Sequence, residues 1–157
     1  MKNVRLIKAE PEQAGLLHRL QCEAFMPLYE RYRDDETSPA KESIDKVKAA
    51  VETSDFLIVY LDDEPVGGVR VKFVDNEEET VRSISPIFLV PSCWDKGIGT
   101  AVMEQVFERY DADKWILATI EQDGRNCHFY EKLGFVRTGS STVVNDKMTI
   151  IGFEKKC

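Results

Sequence analysis

The residues best suited to chemistry fall in two short stretches. In the first, Lys96-Gly97-Ile98-Gly99-Thr100 follows the apolar run Ile87-Phe88-Leu89-Val90. A strand, a turn and a glycine-marked helix start leave the N–H groups of the first helical turn without partners, and the helix dipole favours an anion there. Glycine lets the main chain approach a diphosphate closely, and successive N–H groups form a concave nest for it. Lys96 would add a point charge at the rim and Thr100 a hydroxyl donor. The Gly-x-Gly spacing alone also suits a turn that merely joins two elements. In the second stretch, Asp123, Asn126 and Tyr130 share one face of a helix that Gly134 ends.

The flanking pattern predicts the elements that must hold these residues. Val4 to Ala9 alternates as a half-buried strand does, and Glu10-Pro11 opens a helix with core face Leu16, Leu17, Leu20, Ala24 and Leu28. Ser38-Pro39 starts a second helix that runs to about Glu52. Phe56–Leu61 and Val66–Val74 read as a hairpin, with Gly67-Gly68 marking a bulge or a close backbone approach. Val81–Val90 is a strand in which Pro86 demands an edge, a bulge or a splayed position. A helix from Gly97 presents Ile98, Val102, Val106 and Tyr110 to the core. Trp115–Ile120 is a strand, Asp123–Leu133 a helix, and Phe135–Phe153 a hairpin turning at Asn145-Asp146. The expectation is one α/β domain of the α+β type over residues 1–157. Its sheet is mixed and mostly antiparallel, of about seven strands and about four helices.

Composition removes several function classes. The formal net charge of −7 offers no basic stripe for nucleic acid or an anionic membrane. No apolar run approaches the roughly 20 residues a membrane-spanning helix needs, and the N-terminus is charged too soon for a signal peptide, so the cytoplasm is expected. Cys22, Cys93, Cys127 and Cys157 are far apart, and with His18 and His128 they form no zinc-ligand spacing. Neither a metal nor a disulfide framework is expected.

Taken together, the Gly97 turn and the run Tyr130-Glu131-Lys132-Leu133-Gly134-Phe135 resemble the GNAT superfamily of acyl-CoA N-acyltransferases. That family pairs a Gln/Arg-x-x-Gly-x-Gly/Ala turn with a downstream Tyr-Glu-Lys-x-Gly-Phe-like helix end. The resemblance covers nearly all of the chain, most specifically Ile84 to Phe135. Three positions depart from it. Trp94 stands where the family has Gln or Arg, Asp95 where glycine is frequent, and Asp123 where asparagine is usual. The carboxylate of Asp95 must therefore point away from the phosphates, and Asn126 can take the pantetheine-facing amide role from one turn away. Trp94 could pack on a neighbouring helix.

The resemblance implies acetyl-CoA as co-substrate, a primary amine of a small molecule or peptide as acceptor, and direct transfer in a ternary complex. It implies coenzyme contacts from Phe88, Leu89 and Val90 on the strand, from Lys96, Gly97, Ile98, Gly99 and Thr100 at the turn, and from Asn126 and Tyr130. The sheet would splay between Val81–Val90 and Trp115–Ile120 to admit the acetyl group. Tyr130 is the candidate general acid, since a phenol with pKa of about 10 can protonate a departing thiolate. For the base, Glu121, a relay water on Ser85, and Glu23 are the options. An aromatic and anionic rim of Tyr29, Tyr32, Asp34, Asp35 and Glu36 would suit a cationic amine, or is simply a solvated loop. A binding or sensing module without catalysis, and a longer acyl donor, are the alternatives. The terminal hairpin could pair with a second subunit in a homodimer.

Overall fold

The computed structural model describes residues 3–35, 38–74 and 76–157. Strand β1 (Val4–Lys8) leads through a 3-10 turn, Pro11–Gln13, into helix α1 (Ala14–Tyr32). The Glu10 amide donates to Gln13 Oε1 at 2.9 Å, which closes this entry. Leu17, Leu20, Gln21 and Ala24 are buried along α1, while Leu16 and Leu28 are half-buried. Arg33, in the left-handed region at φ 52°, ends the helix, and its amide donates to the Tyr29 carbonyl.

The second helix is shorter than its pattern predicts. Ser38 caps a 3-10 turn, Pro39–Lys41, by accepting from the Ala40 amide. Glu42 is then extended, and helix α2 (Ile44–Thr53) starts afresh under a second cap, Ser43, which accepts from the Lys46 amide. Two serines compete to cap one segment, and each wins its own turn.

The remaining elements are β2 (Asp55–Leu61), β3 (Glu64–Phe73), β4 (Val81–Leu89), α3 (Ile98–Arg109), β5 (Lys114–Ile120), α4 (Gly124–Lys132), β6 (Val136–Asn145) and β7 (Met148–Lys156). The strands form one sheet in the order β1-β2-β3-β4-β5-β7-β6. Every neighbouring pair is antiparallel except β4–β5. The expected seven-stranded mixed sheet with four helices is the observed one. In the last hairpin Asn145 pairs with Met148, so the turn residues are Asp146 and Lys147, one position later than Asn145-Asp146.

Successive β2 residues point to opposite faces and define the layers. Phe56 turns toward α1, where it meets Phe88 and the flank of Leu17 over Gly68. Asp55 turns the other way and accepts from the Tyr110 hydroxyl at the end of α3. That second layer is largely aromatic. Trp115 stacks edge-on with Phe107 at 5.3 Å, and Phe135 lies between Phe107 and Tyr130. Burying each such ring fully contributes about 1.5–3 kcal/mol.

Two features of β4 set the shape of the sheet around it. Its ladder with β3 passes from Val69↔Ile87 to Val71↔Ile84, so Ser85 and Pro86 together face Arg70 in a bulge. Pro86, which has no N–H, is tolerated in a central strand for that reason. Gly67 packs so tightly on β4 that a Cβ there would collide with the Phe88 carbonyl oxygen. On its other edge β4 meets β5 only at Val81↔Lys114, Arg82↔Trp115 and Ser83↔Ile116. Beyond Ser83 the strands part, while β5 stays paired with β7 from Lys114 to Ile120. The sheet is open between them.

Candidate active site

A groove of about 540 Å³ lies at this opening. Its walls come from both faces of the sheet: the second half of α1 on one, the β4–α3 turn, the start of α3 and α4 on the other. Ile87, Phe88 and Leu89 at the end of β4, where that strand has parted from β5, line the groove between them.

After β4 the chain makes a 3-10 turn, Pro91–Cys93, then passes through Asp95 at φ 61° and Gly97 at φ 78°. A side chain would strain the backbone at Gly97 although no atom would obstruct its Cβ within 4 Å. Gly97 is the N-cap of α3 and supplies no side-chain cap, and the first helical bond runs from the Ala101 amide to the Gly97 carbonyl at 3.3 Å. The amides of Ile98, Gly99 and Thr100 precede that bond and have no intrahelical partner. The two glycines thus serve different needs. Gly97 turns the chain, whereas a Cβ on Gly99 would come within 3.3 Å of Phe129 on α4. Lys96 and Thr100 are exposed and line the groove. Unpaired amides, open space above Gly97 and a nearby lysine fit a diphosphate.

The end of β4 is used differently from expectation at one residue. Val90 is buried, lies outside the groove lining, and its amide donates to the Val66 carbonyl at 2.8 Å. It is committed to the fold and has no free donor for a pantetheine arm. Main-chain groups alternate along an antiparallel strand, so those of Leu89 turn toward the slit. There the Leu89 carbonyl accepts from Trp94 Nε1 at 2.7 Å. Trp94 therefore packs across the groove wall. Arg125 of α4 lies 5.0 Å above its ring and pairs with Asp95 Oδ1 at 3.1 Å. That pair turns the Asp95 carboxylate toward α4. Phe88 lines the groove beneath Phe25 of α1, their rings 5.6 Å apart.

On α4, Asp123 caps the helix by accepting from the Asn126 amide at 3.2 Å, and both residues line the groove. Tyr130 also lines it, although only 6% of the residue is exposed. Its ring packs on Phe129, Phe135 and Phe153, and its hydroxyl makes no hydrogen bond among the described residues. Burial, and then the charges of Asp123 and Cys127, hold this phenol well above its ordinary pKa, so it stays protonated.

Other expected residues lie elsewhere. Glu121 is exposed and pairs with Arg137 at 3.5 Å, and Ser85 sits exposed in the β4 bulge. Glu23 points to solvent from α1. None of the three lines the groove. The Tyr29 hydroxyl donates to Asp35, and the Tyr29 ring lies beneath Lys41 Nζ at 4.4 Å and the Arg33 guanidinium at 5.6 Å. This rim therefore meets the chain's own cations. Tyr32 is buried, its carbonyl accepting from Asn145 Nδ2, and Asp34 is buried beside it in sequence. Glu36 lies outside the described residues.

The wall that sequence reasoning missed is formed by Phe25, Leu28 and Arg31 of α1. A helical stripe through Leu17, Ala24, Leu28 and Arg31 is the signal that could have found it, because the core face simply runs on into the groove. Among the described residues no His, Cys, Asp or Glu group is placed to hold a metal ion, and no helix is long and apolar enough to cross a membrane.

The model of the acetyltransferase (GNAT) family matches residues 16–135. Among solved structures, an acetyltransferase from Thermus thermophilus superposes with a TM-score of 0.73 at 17% identity, covering 99% of this chain and 97% of that one. A PaiA N-acetyltransferase from Thermoplasma acidophilum, solved in complex with coenzyme A, gives 0.73 at 18% identity over 99% of each chain. A spermidine N-acetyltransferase chimera from Vibrio cholerae gives 0.71 at 15%, covering 98% of this chain and 95% of that one. These likenesses concern the fold, while the family match spans the groove from α1 to the end of α4. The chain belongs to the GNAT acetyltransferase family.

Proposed function

We propose that the protein transfers an acetyl group from acetyl-CoA to the primary amine of a small molecule or peptide, directly and within a ternary complex. The observation that carries this reading is the uncapped start of α3, whose free amides open into a groove that crosses the sheet beside Tyr130. The PaiA relative solved with coenzyme A supports the same choice of co-substrate.

When bound, the coenzyme supplies an acetyl thioester; the chain supplies binding, alignment and a proton. The amides of Ile98, Gly99 and Thr100, with Lys96, hold the diphosphate. The main chain of Leu89 faces the slit and can donate to the thioester carbonyl, a contact that lowers such barriers by about 3–4 kcal/mol when it tightens in the transition state. As the amine nitrogen bonds the carbonyl carbon and the C–S bond breaks, Tyr130 donates its proton to the leaving sulfur. The proton shed by the acylated nitrogen passes to solvent in the open groove, from which the phenol is reprotonated. Among the described residues the groove carboxylates have partners, Asp95 on Arg125 and Asp123 on the Asn126 amide. The acceptor accordingly enters as its neutral amine.

The indole on the Leu89 carbonyl favours a second reading, a module that binds acyl-CoA without turnover. A thiol-release assay with acetyl-CoA and a panel of amines, run beside calorimetry with CoA, separates the two. Amine-dependent thiol release supports the transferase. Saturable CoA binding with no release from any amine supports the module, and absence of binding refutes both.

A further inference from the structure

The acceptor side of the groove differs in character from the rim expected for a cationic amine. Phe25 and Leu28 supply an apolar wall, with Ile87 of β4 opposite. Arg31 closes that wall, three residues after Leu28 and on the same helical face. It makes no ion pair or hydrogen bond among the described residues; its guanidinium rests only on the Tyr32 ring, 5.3 Å from the centroid. Among the described residues the groove has two carboxylates, Asp95 and Asp123, and both stand on the α3–α4 side with partners. An arginine held on an aromatic face, unpaired and beside apolar side chains, is suited to a planar anion through two parallel N–H···O bonds. A polyamine entering the same space would meet a like charge, with no carboxylate among the described residues of that wall to offset it. Arg31 is also remote in role from the phosphates, because the α3 turn and Lys96 occupy the opposite wall.

We propose that the acceptor is a primary amine with an apolar body and a carboxylate, and that Arg31 binds the carboxylate while Phe25 and Leu28 bind the body. This rests on the acetyl-transfer reading and narrows its substrate class. The carboxylate of a free amino acid and that of a peptide C-terminus share this chemistry.

The test compares matched acceptors: leucine and phenylalanine, their amides, the dipeptide glycyl-leucine, and spermidine. The wild type is expected to show kcat/KM for the acids roughly tenfold or more above the amides, as a charged hydrogen-bonded pair allows. Arg31→Ala should collapse that ratio, Arg31→Lys should restore part of it, and the CoA dissociation constant should move less than about twofold in either variant. Preference for leucine over glycyl-leucine, or the reverse, distinguishes amino acid from peptide. Preference for amides or spermidine overturns the proposal, as does a loss of CoA affinity as large as the loss for acceptors. If CoA binds but no amine is acetylated, the transfer reading fails alone. Calorimetry of N-acetylleucine against its amide on CoA-saturated protein then decides. Tighter binding of the acid that Arg31→Ala abolishes upholds the carboxylate site, and equal affinity overturns it.

Discussion

The two walls of the groove are built from different materials. The α3 wall is main chain: three amides aimed by a left-handed glycine, indifferent to neighbouring side chains. The α1 wall is side chain: Phe25, Leu28 and Arg31, carried on a helix with Pro27 within it. A backbone site tolerates drift around it and keeps one ligand chemistry, whereas a side-chain wall changes its partner with each substitution. Tyr130 lines the same groove from α4, and the proposed mechanism assigns it to the reaction more than to either ligand.

The largest expected effect probes that assignment. Tyr130→Phe should lower kcat by roughly 10²–10⁴-fold, the usual worth of a positioned acid, with CoA affinity nearly unchanged by calorimetry. An equal loss in CoA affinity would move Tyr130 into the coenzyme wall. Next, Gly97→Val forces a β-branched residue to φ 78° and should re-aim the amides. At about 1–3 kcal/mol of strain, CoA should bind roughly 10–100-fold more weakly while the ranking of acceptors stays fixed. A changed ranking would show that the walls are not independent. Trp94→Phe frees the Leu89 carbonyl for a ligand donor. The worth of one neutral hydrogen bond suggests CoA binding tighter by about two- to tenfold in titration, and weaker binding would make the indole a support instead of a plug.

The smallest effect is on stability. Burial first, then the hydrogen bond and charge of Asp55, push Tyr110 above its ordinary pKa, as burial does Tyr130. A phenol raised in the folded state contributes stability that is complete below the unfolded pKa of about 10 and declines as pH climbs toward the folded value. Thermal melts from pH 8 to 11 should therefore fall only above about pH 10, and less steeply in Tyr130→Phe. An unchanged slope would mean that the ring's burial does not govern its ionisation.

The sequence disclosed the α3 wall through two stretches together, because the strand, glycine and helix start also suit a plain connection until the Tyr130–Phe135 run is set beside them. The sheet was legible for a similar reason: alternation marks each strand, and Pro86 and the β4–β5 opening announced an interruption. The α1 wall was hidden by its ordinariness. Phe25, Leu28 and Arg31 read as an amphipathic helix, and only the register of α1 over the slit gives them another use. The acidic connector suggests an anionic rim, yet Arg33 from within the segment and Lys41 from beyond it reach the Tyr29 ring, and Asp35 accepts from the Tyr29 hydroxyl. Val90 illustrates a further limit. Whether its amide faces β3 or the slit depends on strand register, which the bulge at Ser85 and Pro86 resets. Likewise nothing in the composition of Ser38 to Ser43 reveals that two caps would divide one helix.

The short seam between β4 and β5 has a mechanical meaning. Joined at three residue pairs, the four strands β1–β4 and the three strands β5–β7 form two plates that share a narrow spine. On the proposed function, a guest lodged between the plates would take the place of the absent ladder and stiffen the sheet at that point.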